Sequence, residues 1–189
     1  MQTPTHLLVA AAALTRPGER RRNLTVLTGA LLPDLSIYIL FVWSKLMAIP
    51  ERQVWHQVYW QDPWQTLSAI SNSFPIWGAL LVVGLACRIK LLWILAAAAL
   101  LHLSLDFPVH NSDAHKHFWP LTDWRFHSPI SYWNTAHYGR IVSWIEIALA
   151  VACIVILWRR FASTVVRAAL LTALVAFAAV PLYFHLALG

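Results

Sequence analysis

Residues 141–158 read IVSWIEIALAVACIVILW, and within them Glu146 is the single charged side chain. As an α-helix this stretch rises about 27 Å, close to the roughly 30 Å of a bilayer's hydrocarbon core. Comparable runs recur along the chain. Residues 23–44 carry only Asp34, 63–87 and 168–189 carry no charge, and 91–105 carry none but include His102. With 12% charged residues against the roughly 25% of soluble domains, and a mean hydropathy of +0.60, the chain is not built to be solvated all round. The pattern predicts an all-α fold: a polytopic membrane helix bundle forming one integral membrane domain over residues 1–189. Five transmembrane spans are expected, at about 23–46, 65–87, 90–107, 139–159 and 163–187. Pro33 and Pro181 should kink or break the first and last of them.

The apolar run from His6 to Leu14 is too short to cross and is expected to form a half-membrane helix at about 4–15. It is not a signal peptide, because its basic residues follow the apolar run instead of preceding it. Cys87 and Cys153 lie in apolar helical runs, which offers neither a disulfide framework nor a metal spacing.

The net charge of +6 is distributed like that of a membrane protein and not of a nucleic-acid binder. Three short connectors hold Arg16, Arg20, Arg21, Arg22, Arg88, Lys90, Arg159, Arg160 and Arg167 against Glu19 alone, a net of +8. Two longer connectors balance five basic residues against five acidic ones. The positive-inside rule then puts the short connectors in the cytoplasm and segments 47–64 and 108–138 outside. Trp43, Trp55, Trp60, Trp64, Trp119, Trp124, Trp133 and Trp144 gather at the outer ends, as an interfacial aromatic belt requires.

Ionisable residues inside the apolar runs are few, and counting residues from the span ends sets His6, Asp34, His102, Asp106 and Glu146 at similar depths. A carboxylate within the membrane costs about 2.5–3.5 kcal/mol and so needs a partner, a proton or a metal. The stretch from His102 to His117 is the sharpest chemical signal. His102 and Asp106 are four apart, on one helical face, which suits two ligands of one ion. Pro108 should end that helix and let His110, Asp113, His115 and His117 fold back over it. Imidazole with carboxylate suits Zn²⁺, and also Mn²⁺ or Fe²⁺. His127, His137 and His185 are read as incidental. Segment 108–138 also carries Phe118, Trp119, Leu121 and Trp124. It is expected to form an ordered cap, with its aromatics on the outer ends of the first and fourth spans and its histidines turned inward.

Thr5-His6-Leu-Leu, Gly29-Ala-Leu-Leu-Pro33-Asp34, the His102-Leu-Ser-Leu-Asp106 helix end and Phe118-Trp-Pro120-Leu followed by Arg125-Phe resemble, in order, the YdjM-like family of inner-membrane metal-dependent hydrolases. That family is distantly similar to zinc-dependent phospholipase C and nuclease proteins. The resemblance implies that His6, Asp34, His102 and Asp106 are metal ligands. The family's His-x-x-x-Thr-His-Ser motif has no counterpart here, since Ser71-Asn72-Ser73 stands in its place. His110, Asp113, His115 and His117 could supply the missing ligands.

Three functions compete. The first is a metal-dependent hydrolase open to the outer leaflet, acting on a phosphoester or lipid-linked substrate, with Glu146 or Asp113 as general base. The second is a non-enzymatic membrane scaffold with a structural metal or none. The third, a metal or proton transporter, is disfavoured because 24–32, 78–87, 91–101, 147–158 and 168–178 contain no ionisable residue to carry a path across.

Overall fold

In the computed structural model, which describes residues 1–188 and the side chains of 1–175 and Phe177, helices dominate and no strand occurs among the described residues. Helix α1 spans Thr3–Leu14 with Pro4 in its first turn, where a missing N–H costs nothing. Helix α2 (Arg20–Leu31) is followed by a 3₁₀ turn, Leu32–Asp34, and then by α3 (Leu35–Leu46). The expected break at Pro33 therefore takes the form of one tightened turn. Short α4 (Glu51–His56) leads to α5 (Asp62–Ser71) and α6 (Phe74–Ala86), which part at Asn72-Ser73. There the Ser73 hydroxyl accepts from Ile76 N at 3.1 Å and caps α6. Helix α7 spans Lys90–Asp106, α8 Gly139–Arg160 and α9 Thr164–Leu188.

Among the described residues, three segments are long and apolar enough to cross a membrane: Arg20–Leu46, Asp62–Ala86 and Gly139–Arg160. Five spans are not supported. Helix α7 has 17 residues, a rise of about 26 Å. It lies inside the bundle, with Ile94, Ala96, Ala98, Ala99 and Leu103 all 0% exposed. Leu91 and Ser104 on its other side remain exposed, so α7 is buried along one face and open along another. In α9 the described apolar stretch is Thr164–Val175. Pro181 and His185 lie outside the described side chains.

Helix α7 packs between α2 and α6, and small residues set both approaches. A Cβ on Gly29 would meet Leu95 O at 2.3 Å, and one on Gly84 would meet Trp93 N at 2.6 Å. Ala30 and Ala98 continue the first seam and Ala96 and Ala99 the second, all fully buried. At the basic turn joining α6 to α7, Cys87 is exposed, whereas Cys153 is buried in α8.

The segment after α7 is an ordered cap with little regular structure beyond the 3₁₀ turn Thr135–His137. It is pinned by Ser128 N to His110 O (3.0 Å), Tyr132 N to Val109 O (3.0 Å) and Phe74 N to His117 O (2.8 Å). Arg125 adds a donation to Gln65 Oε1 at 2.7 Å. Its aromatics do not pack where the sequence suggests. Phe118 and Phe126 join Phe107, and Phe118 also meets Phe74, at the ends of α7 and α6. Leu121 and Trp124 remain exposed. Phe107 and Phe74 flank the helix ends from which the cap departs, so the nearest apolar surface captures the nearby rings.

Candidate metal centre

Helix α1 is held in place by Glu146 of α8. That buried carboxylate accepts from Gln2 N and from Thr5 Oγ1, both at 2.7 Å, at the positive end of the α1 dipole. One turn further along α1, His6 is carried into the bundle and stacks on His102 of α7. The ring centroids are 3.6 Å apart and the planes 11° from parallel.

Asp106 gathers the imidazoles. His6 Nε2 lies 2.9 Å from Oδ1 and His102 Nε2 lies 3.0 Å from Oδ2. His110 Nε2 approaches Oδ1 at 3.3 Å, and the Met1 amine also rests against this oxygen. Asp34 enters from the 3₁₀ turn, with Oδ1 at 3.5 Å from His102 Nε2. The four residues expected as ligands therefore meet, and His6, His102 and Asp106 each present a ligand atom within 4.8 Å of the others.

The chemistry of these contacts fits a cation. His102 Nδ1 faces Ala30 O at 2.7 Å, and a carbonyl can only accept, so Nδ1 carries the proton. Ala30 has its carbonyl free for this because it lies in the last turn of α2. In the neutral ring the Nε2 lone pair then points at two carboxylate oxygens, an arrangement that is repulsive unless a proton or a cation stands between them. Atoms around one ion at about 2.0–2.2 Å lie within about 4.4 Å of each other, so a sub-ångström contraction would close the group. Two nitrogens with carboxylate oxygens are a donor set for Zn²⁺, Mn²⁺ or Fe²⁺.

Asp34 is fixed by residues that carry no signal in the sequence. Tyr38 donates to Thr3 Oγ1 at 3.0 Å, and Thr3 donates in turn to Asp34 Oδ2. Oδ1 is left to face His102.

The remaining expected residues occupy a second tier in the cap. Asp113 Oδ2 pairs with His110 Nδ1 at 3.0 Å and accepts from Trp133 Nε1 at 3.1 Å. His115 Nδ1 sits 3.1 Å from Ser68 Oγ, and His117 Nδ1 donates to Asn72 O at 3.0 Å. Their rings form a row, with centroids 4.9 Å apart from His110 to His115 and 5.6 Å from His115 to His117. Burial, with His110 and His117 beside it, lowers His115 to about 3. Burial, partly offset by the Asn72 carbonyl, lowers His117 to about 4. For His110 burial is outweighed by Asp106 and Asp113, which raise it to about 9. His127 is exposed and His137 half-buried, and both bond only to cap carbonyls. Ser71 and Asn72 donate to Pro33 O at 3.0 and 3.1 Å, fastening α5 to the turn that presents Asp34.

A cavity of about 370 Å³ adjoins the centre, lined by Asp34, by Ile37 and Tyr38 of α3, and by His110, His115 and Tyr132 of the cap. Tyr132 is a third residue that the sequence did not single out; its ring lies 4.9 Å from that of His110. The chain matches no protein-family model, no curated protein and no solved structure.

Proposed function

We propose that this chain is a metal-dependent hydrolase embedded in the inner membrane, with His6, Asp34, His102 and Asp106 as the ligands of one divalent ion, zinc in the first instance. The observation that carries the reading is the His102 ring. Its Nδ1 proton is spent on Ala30, so its Nε2 lone pair is committed to the point where two carboxylates and His6 converge. A divalent ion held there supplies Lewis acidity and a water whose pKa falls toward about 7. His110 lines the cavity and is oriented by Asp113, so it is the proton-carrying side chain next to a bound substrate. Glu146 holds α1 through Oε1, which accepts from both Gln2 N and Thr5 Oγ1, and so positions His6. The YdjM-like resemblance supports the same reading, with a phosphoester or lipid-linked group as the substrate it suggests, and the charge asymmetry turns the basic connectors toward the cytoplasm.

A scaffold reading is favoured by one observation. Asp106 already receives three imidazoles, a network able to tie α1, α7 and the cap together without an ion. Elemental analysis of the purified protein separates the two. The hydrolase reading expects about one zinc, manganese or iron per chain, lost in Asp106→Asn, and hydrolysis of bis(p-nitrophenyl) phosphate that a chelator abolishes. Metal-free wild-type protein that remains folded would sink it in favour of the scaffold.

A further inference from the structure

The cavity beside the centre is asymmetric in what it shows to the outside. Its cap side is closed: His110 is 6% exposed and His115 5%. Its exposed lining residues are Gln2 and Pro4, at the start of α1, and Tyr38 on α3, which is 45% exposed. The mouth therefore opens sideways, between α1 and α3.

What flanks that mouth is apolar. Leu35, Ile39, Val42 and Leu46 are all exposed and, with Tyr38, recur at the helical spacing that makes one outward stripe along α3. This stripe belongs to Arg20–Leu46, a segment long and apolar enough to cross a membrane. Tyr38 precedes Trp43 by five residues, about 8 Å of helix rise. If Trp43 marks the interface, as tryptophans at span ends do, the mouth lies within the hydrocarbon and not in water. Inside it are Asp34, His110, His115 and the Tyr132 side chain, Gln2 and Tyr38 stand at its rim, and the α3 surface beyond Tyr38 is leucine, isoleucine and valine. A volume of about 370 Å³ is near the lower end of the roughly 300–1,000 Å³ of small-molecule sites, room for a polar head but not for acyl chains as well.

We infer that the ligand of this cavity is a membrane lipid that arrives from within the bilayer between α1 and α3, its polar head beside Asp34 and its chains along the Leu35–Leu46 stripe. The inference rests on the reading of Arg20–Leu46 as a span and names the substrate class of the proposed centre. It makes Tyr38 a gatepost, since the residue stands at the mouth and also begins the hydroxyl chain that ends on Asp34.

The test uses full-length protein in nanodiscs of palmitoyl-oleoyl phosphatidylethanolamine and phosphatidylglycerol. A nitroxide is placed on Tyr38→Cys in a Cys87→Ser, Cys153→Ser background, with Val42→Cys as the apolar reference and His127→Cys as the aqueous one. Collision with oxygen should dominate over collision with an aqueous nickel chelate at position 38, as at 42. In parallel, native mass spectrometry should find phospholipid retained by wild type and by Val42→Trp. Retention should fall severalfold in Ile37→Trp, which fills the cavity, while its metal content is unchanged. Access of the nickel chelate to position 38 as free as at 127, or equal lipid retention in all three proteins, overturns the inference. Neither readout depends on a bound metal, so a metal-free wild type would refute the hydrolase while leaving the portal result to stand or fall alone.

Discussion

The imidazole of His102 and the carbonyl of Ala30 meet at 2.7 Å across the seam where α2 and α7 come closest. The bond exists because Gly29, one residue earlier, lets the backbones approach. Gly29→Ala should therefore act on the ion as well as on the fold. Its Cβ would stand 2.3 Å from the Leu95 carbonyl, so the helices must separate, at about 1–3 kcal/mol by the usual cost of overpacking. Metal affinity should fall with thermal stability. Full affinity in a protein of lowered melting temperature would show that the His102–Ala30 bond does not orient the ligand.

Thr3 offers a separate handle. Its hydroxyl fixes which oxygen of Asp34 faces His102. Partners of this kind are typically worth 10–100-fold in metal affinity. Thr3→Val should show that loss in a calorimetric zinc titration, and Thr3→Ser should restore most of it. Indistinguishable affinities in the three proteins would remove Thr3 from the account.

Glu146 discriminates between positioning and proton transfer. Glu146→Gln keeps an acceptor for Gln2 N and Thr5 Oγ1, so stability and turnover should both survive. Glu146→Leu leaves the buried Thr5 hydroxyl without a partner and the Gln2 N–H to solvent, and should cost about 1–3 kcal/mol, with α1 and its His6 loosened. Loss of phosphoester turnover in a fully stable Glu146→Gln would return this residue to the role of general base.

The cap should be sensitive to acid. His115 and His117 are held neutral when folded, at about 3 and about 4, against an ordinary imidazole value near 6.5. The unfolded cap thus binds protons that the folded cap refuses. Their contribution is complete above about pH 6.5 and is lost as the pH falls from there toward 4, by about 3 kcal/mol for His117. Hydrogen exchange, corrected for its intrinsic rate, should show residues 108–138 opening at pH 5 while α2 and α7 stay protected. Equal protection of the cap at pH 7.5 and pH 5 would contradict this.

Much of the centre was legible because its residues are costly where they stand. Carboxylates in apolar runs need a reason, and Asp34 and Asp106 found theirs in His102 and in each other's neighbourhood. The i, i+4 pair on α7 could be read directly, since helical geometry alone brings His102 and Asp106 together. Thr3, Tyr38 and Tyr132 were not legible: a hydroxyl near the start of an apolar helix looks like any other, and its partner lies 31 residues away. The count of spans failed for a related reason. Apolar length is the same signal whether a helix faces lipid or, like much of α7, packs against its own chain. Glu146 was found, but its bonds to Gln2 and Thr5 were not, because depth in the membrane says nothing about which donors wait there.

The basic turn between α6 and α7 has a practical side. Of the two thiols, Cys87 stands exposed beside Arg88, and Cys153 is enclosed in α8. The native protein is thus its own orientation assay. A membrane-impermeant maleimide added to intact spheroplasts should leave it unmodified, and the same reagent on inverted vesicles should add one adduct per chain. Adducts from the spheroplast side would invert the whole map, placing the histidine-rich cap and its row of imidazoles in the cytosol.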